Sequence, residues 1–197
     1  MASQKKGETW KMKKWYAVYA PKVMGGGDTV IGEFPANDDK AAVGRNMIIG
    51  LDTITKNPSH AYTNVLLKVT DVNGTSAHTQ LVSIRQLYSY IRSLVRRYKS
   101  ISNSVIRVSS KDNSTVVLKM LVVTRSRTTH SKITGIRKEM DNQIIDYAKD
   151  KDAKEIIASV MDGSFQANLA GKLMHITPVS KVEVRALEFN AAKENAA

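Results

Sequence analysis

The sequence predicts an α+β fold with a mostly antiparallel sheet, barrel-like or strongly bent, and several packed helices. Three observations lead there. Short β-rich segments separated by turn residues fill the stretch from Trp15 to Val82, the hydrophobic period changes from 2 to 3.6 at Ser83, and further helical patterns cluster before a last alternating segment. Runs of strands and helices that are segregated rather than alternating argue against a doubly wound parallel sheet.

The elements follow in order. Lys5, Lys6, Lys11, Lys13 and Lys14 stand in an N-terminal stretch poor in apolar residues, so residues 1–14 are expected to form a flexible basic arm. The segments WYAVYA, TVIGEF and NMIIGL read as short strands, with GGG at Gly25 to Gly27 as a turn between them. AYTNVLLKVTDV reads as a long strand, and Asn73-Gly74 before SAHTQLV is a strong hairpin signal. From Ser83, a plausible N-cap, the residues Ile84, Leu87, Tyr88, Ile91, Leu94, Val95 and Tyr98 recur at helical spacing. The same helix would set Arg85, Arg92, Arg96 and Lys99 in one basic stripe, within about 60° of arc beside its buried face.

SVIRVSS and STVVLKMLVVT form a second expected hairpin around Lys111 to Asn113. A helix is expected to start within or just after the segment Thr124 to Lys138, around Ile136, and to run through EMDNQIIDYAK, followed by AKEIIASVM and SFQANLAGKLM, parted by Asp162-Gly163. After Pro178, SKVEVRALEF alternates as a last strand with Val182, Val184 and Leu187 turned to the core. Residues 15–189 are expected to be a single domain, and 190–197 a frayed tail.

The chain has 197 residues, a formal net charge of +12, a pI near 9.8 and no cysteine. Absence of cysteine excludes disulfides, thiolate metal sites and cysteine nucleophiles, and fits a reducing, cytoplasmic setting. No apolar run is long enough to span a membrane, and the N-terminus lacks the apolar middle of a secretory signal, so no membrane partner is expected. The charge is localised. Between Val82 and Lys138 stand Arg85, Arg92, Arg96, Arg97, Lys99, Arg107, Lys111, Lys119, Arg125, Arg127, Lys132, Arg137 and Lys138 against the single acid Asp112, whereas acids outnumber bases from Glu139 onward. A basic block of this kind asks for an anionic partner.

Catalytic patterns are absent. No Gly-Lys-Ser/Thr follows the GGG triplet, no Gly-x-Ser-x-Gly occurs, and His60, His78, His130 and His175 stand isolated without metal-ligand spacing. Scattered acids such as Asp38, Asp39 and Asp52 leave metal-dependent nucleic-acid processing as a formal alternative. No cofactor, metal or small-molecule substrate is expected.

The segment Thr124 to Lys138, TRSRTTHSKITGIRK, alternates hydroxyls with basic groups and holds no carboxylate. Lys and Arg neutralise phosphates, and hydroxyls and backbone N–H groups donate to phosphate oxygens or meet a ribose 2′-OH, so the segment suits a folded RNA backbone. Having no aromatic residue, it offers no platform for stacking single-stranded bases. The candidate RNA-binding residues are Lys11, Lys13 and Lys14 in the arm, Arg85, Arg92, Arg96, Arg97 and Lys99 around the first helix, and Arg125, Arg127, His130, Lys132, Arg137 and Lys138 in this segment. A free RNA- or DNA-binding regulator is the alternative from another class.

The motifs KKWYAVYAP, IGEFPA, VGRNMIIGLDTIT, LLKVTDVNGTSAHTQLV, YIRSLVRRYKS, KDNSTVVLKMLVVTRSR and ITGIRKEM follow in the order of the S3Ae (S1e) family of archaeal and eukaryotic small-subunit ribosomal proteins. The resemblance runs from about Lys13 to Phe189, and the length is similar to archaeal members. It implies a β-barrel-like core with packed helices and no enzyme activity. It also implies a cytoplasmic place in the ribosome, on the small-subunit platform near the mRNA exit and the rRNA 3′ end. Small-subunit rRNA and neighbouring ribosomal proteins would be the partners, with mRNA near the exit as a further one. Two segments depart from the family pattern: PKVMGGG lacks an aromatic residue and HITPVSKVEVR lacks a Tyr-Pro pair.

Overall fold

The computed structural model describes residues 13–24, 29–111 and 114–190. The expectations for the N-terminal arm up to residue 12, for the glycine triplet and for the tail after Asn190 lie outside these residues. Eight strands form one mixed sheet: β1 (Lys14–Tyr19), β2 (Val30–Ala36), β3 (Asn46–Gly50), β4 (Thr63–Asn73), β5 (Ser76–Gln86), β6 (Ile101–Ser109), β7 (Thr115–Thr124) and β8 (Val179–Asn190). Helices α1 (Asp39–Ala42) and α2 (Leu51–Thr55) are single turns, and α3 (Tyr88–Leu94) follows β5. The longer helices α4 (His130–Asp150), α5 (Ala153–Met161) and α6 (Ser164–Leu173) lie between β7 and β8.

The strands run in the order β2-β1-β5-β8-β7-β6, with β4 also paired to β5 and β3 to β4. All pairs are antiparallel except β1 with β5. The α+β class is as the sequence predicts, but the sheet does not close among the described residues. The central strand β5 spends its start, Ser76 to His78, on β1 and its end, Ser83 to Arg85, on β8, while β4 covers its other edge. The hairpin at Asn73-Gly74 forms as expected, with Gly74 at φ 62°, a conformation glycine adopts at little cost.

Most of the core lies between the sheet and α4, α5 and α6. On α4 the residues Ile136, Met140, Ile144 and Ala148, four apart, make one buried row. Ile156, Ile157 and Val160 of α5 and Phe165, Leu169 and Leu173 of α6 join it against Leu118, Met120 and Val122 of β7 and the expected Val182, Val184 and Leu187 of β8. A separate cluster, Ile91 with Leu121 and Val123, puts α3 on the opposite face of β7. The last five residues of β7, Met120 to Thr124, are therefore all buried. A strand covered on both faces reads as a continuous apolar run, which is what LVV shows in the sequence.

Two helix expectations are corrected. Residues 83–86, read as the start of a helix, are strand: Ile84 faces Val65 of β4 and Leu187 of β8, and the Ser83 side chain is buried and caps nothing. Pairing on both edges of β5 outweighs the local 3.6 period, and α3 shrinks to Tyr88–Leu94. The predicted basic stripe dissolves with it, since Arg85 is on β5 and Arg96 and Lys99 lie beyond the helix. α4, by contrast, starts at His130 rather than around Ile136. Gly135, which locally costs about 1 kcal/mol in a helix, is not demanded by close packing, since an added Cβ would meet nothing nearer than Ile176 at 4.0 Å, and packing of the following row overrides its penalty.

Candidate nucleic-acid interface

Where β7 ends, the chain must leave a strand buried on both faces and return to solvent. Thr124 makes that exit. Its hydroxyl donates to the carbonyls of Ser100 at 3.0 Å or Ser126 at 2.7 Å and accepts from the Ser100 N–H at 2.9 Å. The Ser100 hydroxyl in turn accepts from the Thr128 N–H at 3.0 Å, and the Thr124 N–H donates to the Ser100 carbonyl at 2.9 Å. Neutral hydroxyl and amide groups thus clasp the loop after α3, residues 95–100, to the loop after β7, residues 125–129. Arg125 is further held by its N–H donating to the Pro178 carbonyl at 2.9 Å.

This clasp brings together residues distant in sequence. Arg92 at the end of α3, Arg96 and Arg97 beyond it, and Arg125 and Arg127 are all exposed, with Lys99 partly so. Among the described residues, ion pairs engage Arg85, Lys119, Lys149 and Lys181, and none engages these six. Arg92 lies over the Tyr88 ring at 4.7 Å and the Lys99 ammonium donates to the Ser180 hydroxyl at 3.4 Å, contacts that place the charges without neutralising them.

Helix α4 starts directly behind the Arg127 loop. Its first turn contains His130 and Lys132 and no acid, and the Thr129 side chain makes no capping bond. The N–H groups of such a turn have no intrahelical acceptor and carry the positive end of the helix dipole, so basic residues there suit an approaching anion. Further along, the charges fan out. At 100° per residue Arg137 lies within about 20° of the His130 direction, whereas Lys138 points roughly opposite the buried Ile136.

Other candidates stand apart. Arg85 on β5 donates to Glu188 of β8 at 3.0 Å, and Lys119 of β7 reaches the same carboxylate oxygen at 2.7 Å. The Lys119 hydrogen bond, helped by the Lys119 and Arg85 charges, holds the Glu188 carboxyl below its usual 4.5. Lys13 precedes and Lys14 opens β1, which pairs with the start of β5, Ser76 to His78, away from the end of that strand that meets β8. Lys11 lies outside the described residues. The acids weighed for metal chemistry are dispersed: Asp39 accepts from the Tyr16 hydroxyl at 2.6 Å, pushing that phenol up to about 12, and no group of three His, Asp or Glu among the described residues could hold a metal ion.

The sequence matches the ribosomal S3Ae family over residues 1–192. The chain belongs to that family. Small ribosomal subunit protein eS1 of Methanococcus maripaludis strain C6 is 34% identical over 190 residues, covering 95% of this chain and 84% of the relative. The eS1 proteins of Methanococcus vannielii, 34% identical over 94% of this chain and 84% of the relative, and Pyrobaculum neutrophilum, 33% over 91% and 80%, are similar along nearly the same extent. Family membership accords with the resemblance carried by the ordered motifs. Among the described residues no helix is long and apolar enough to cross a membrane.

Sequence reasoning missed two features of this candidate interface. One is the clasp, because Ser100 and Thr124 are ordinary residues until β6 and β7 pair and set them opposite each other. The other is Tyr98. Read as part of a buried helical row, it is 84% exposed and sits at φ 64°, a conformation costing a bulky residue on the order of 1–3 kcal/mol. The clue available was Arg96-Arg97-Tyr98-Lys99, where the apolar period is interrupted by three charges.

Proposed function

We propose that this protein is a structural constituent of the small ribosomal subunit that binds rRNA through the basic pole at the end of β7. The observation that carries this reading is the convergence of Arg92, Arg96, Arg97, Lys99, Arg125 and Arg127, without carboxylate partners, on a clasp of neutral hydrogen bonds. Guanidinium groups offer planar forks to phosphate oxygens, and the N-terminal turn of α4 adds His130, Lys132 and unpaired N–H donors beside them. The eS1 names of the relatives support the ribosomal setting, hence a cytoplasmic location in the ribosome. A place on the platform near the mRNA exit and the rRNA 3′ end is part of the same proposal, as are contacts with neighbouring ribosomal proteins. The block from Glu139 onward, in which acids outnumber bases, is suited to a basic protein neighbour rather than to RNA.

Sedimentation of a cell extract through a sucrose gradient tests the proposal. Co-migration with small subunits near one copy per particle, weakened only at high salt, is expected. Absence from every ribosomal fraction, with a soluble pool bound to particular transcripts, would instead establish the free regulator.

A further inference from the structure

We infer that Tyr98 is a base-stacking residue, whose ring takes an unpaired nucleobase of the rRNA held by the surrounding arginines. The inference rests on the rRNA-binding reading and adds to it a contact that is not electrostatic. Three observations converge on this side chain. First, Tyr98 occupies the third position of a tight turn closed by the Lys99 N–H on the Arg96 carbonyl at 3.4 Å, with φ 64°. Glycine or asparagine is the ordinary residue there, because a side chain in the left-handed region is crowded. The turn would form more easily without the ring.

Second, the ring has no use within the fold. Of the tyrosines in this region, Tyr88 lies beneath the Arg92 guanidinium, and Tyr90 stacks on Tyr62 and donates to Glu183. Among the described residues, Tyr98 has neither an aromatic neighbour, nor a cation over its face, nor a hydrogen bond from its hydroxyl. Third, its setting is cationic. Arg96, Arg97 and Lys99 flank it in the chain, and the clasp through Ser100 ties its loop to that of Arg125 and Arg127. A partner that both neutralises these cations and presents a flat π surface is a nucleic acid with a splayed base. Since every base has a π face, the contact anchors the strand with little preference for its identity.

The test measures binding of the full chain to in vitro transcribed small-subunit rRNA across a salt series. Wild type is compared with Tyr98→Gly, Tyr98→Leu and Tyr98→Phe, and with Arg125→Gln/Arg127→Gln as reference. Tyr98→Gly and Tyr98→Leu are expected to lose about 5- to 150-fold in affinity, the span of one base–aromatic stack, at every salt concentration and with the salt slope unchanged. Tyr98→Phe stays within about twofold of wild type. Melting serves as the control, with Tyr98→Gly at or above the wild-type Tm because glycine relieves the turn; if it melts lower, the Leu and Phe variants, which share the backbone constraint, decide. Affinity of Tyr98→Leu within twofold of wild type overturns the inference, as does an equal loss in Tyr98→Phe, which would place the contact at the hydroxyl. If the arginine variant still weakens binding in either case, the rRNA reading stands alone. If it too binds as wild type, both fall.

Discussion

Two basic regions of this protein come from the same stretch of sequence and end in opposite electrostatic states. On the sheet, Arg85 and Lys119 meet over Glu188, delivered by β8 from the acid-rich end of the chain. At the end of β7, Arg92, Arg96, Arg97, Arg125 and Arg127 gather around Ser100 and Thr124, which supply hydrogen bonds but no charge. Counting residues between Val82 and Lys138 treats all these cations alike. Folding sorts them into cations that share a carboxylate and cations that have none, and the second group is poised to gain more from an anionic partner. The contrast teaches that a basic interface is defined as much by where carboxylates are kept out as by where arginines are placed.

The comparison can be broken most severely at its foundation. Leu121 packs α3 on the outer face of β7, and Leu121→Ala is expected to cost about 2–5 kcal/mol, read as a fall in Tm or denaturation midpoint. A loss below about 1 kcal/mol would mean that the free pole is not seated on that strand. Next in size is the clasp. Thr124→Val keeps the shape and removes the hydroxyl, leaving the Ser100 N–H without its side-chain acceptor at a cost of about 1–3 kcal/mol, and it should weaken rRNA binding by loosening both loops. A stability change without a binding change would show that the loops are positioned independently.

Smaller effects sharpen the other side. Arg85→Ala removes a partner from a pair that is largely exposed, so the stability change should fall within about 0–1 kcal/mol, with rRNA affinity unaltered within error. Glu188→Gln addresses pH. Because the folded carboxyl titrates below its usual 4.5, the ion pairs stabilise the fold above pH 4.5, and that contribution fades as pH falls through the lowered value. Unfolding measured from about pH 6 to well below the lowered value should therefore show wild type and variant converging in stability only below 4.5. Parallel curves would mean that Glu188 is unlinked to folding.

How far all this could be read from the sequence depended on whether a signal was local. The Asn73-Gly74 hairpin, the Asp162-Gly163 break between α5 and α6 and the alternation from Ser180 to Phe189 are written in adjacent residues, and each stands where expected. Ile84 to Tyr98 failed because its 3.6 period is real but incomplete: strands β4 and β8 compete for its first residues, and neither is visible from within the window. The same limit governed the candidate site. Arg125 and Arg127 were legible as a carboxylate-free run, whereas the pairing of Arg85 with Glu188 crosses more than a hundred residues of chain. Tyr98 was misread for the complementary reason, an aromatic residue at helical spacing being core far more often than contact.

The central claim is that charge position, not charge count, makes the interface. Two double variants with the same loss of net charge test it: Arg125→Gln/Arg127→Gln at the free pole and Arg85→Gln/Lys119→Gln at the paired one. The logarithm of the affinity for small-subunit rRNA is followed against the logarithm of salt concentration. The account predicts that the first pair flattens the slope by about 1.4 to 1.8, at 0.7 to 0.9 per phosphate contact, while the second leaves it as in wild type. Equal flattening by both pairs would contradict it and make the protein diffusely basic.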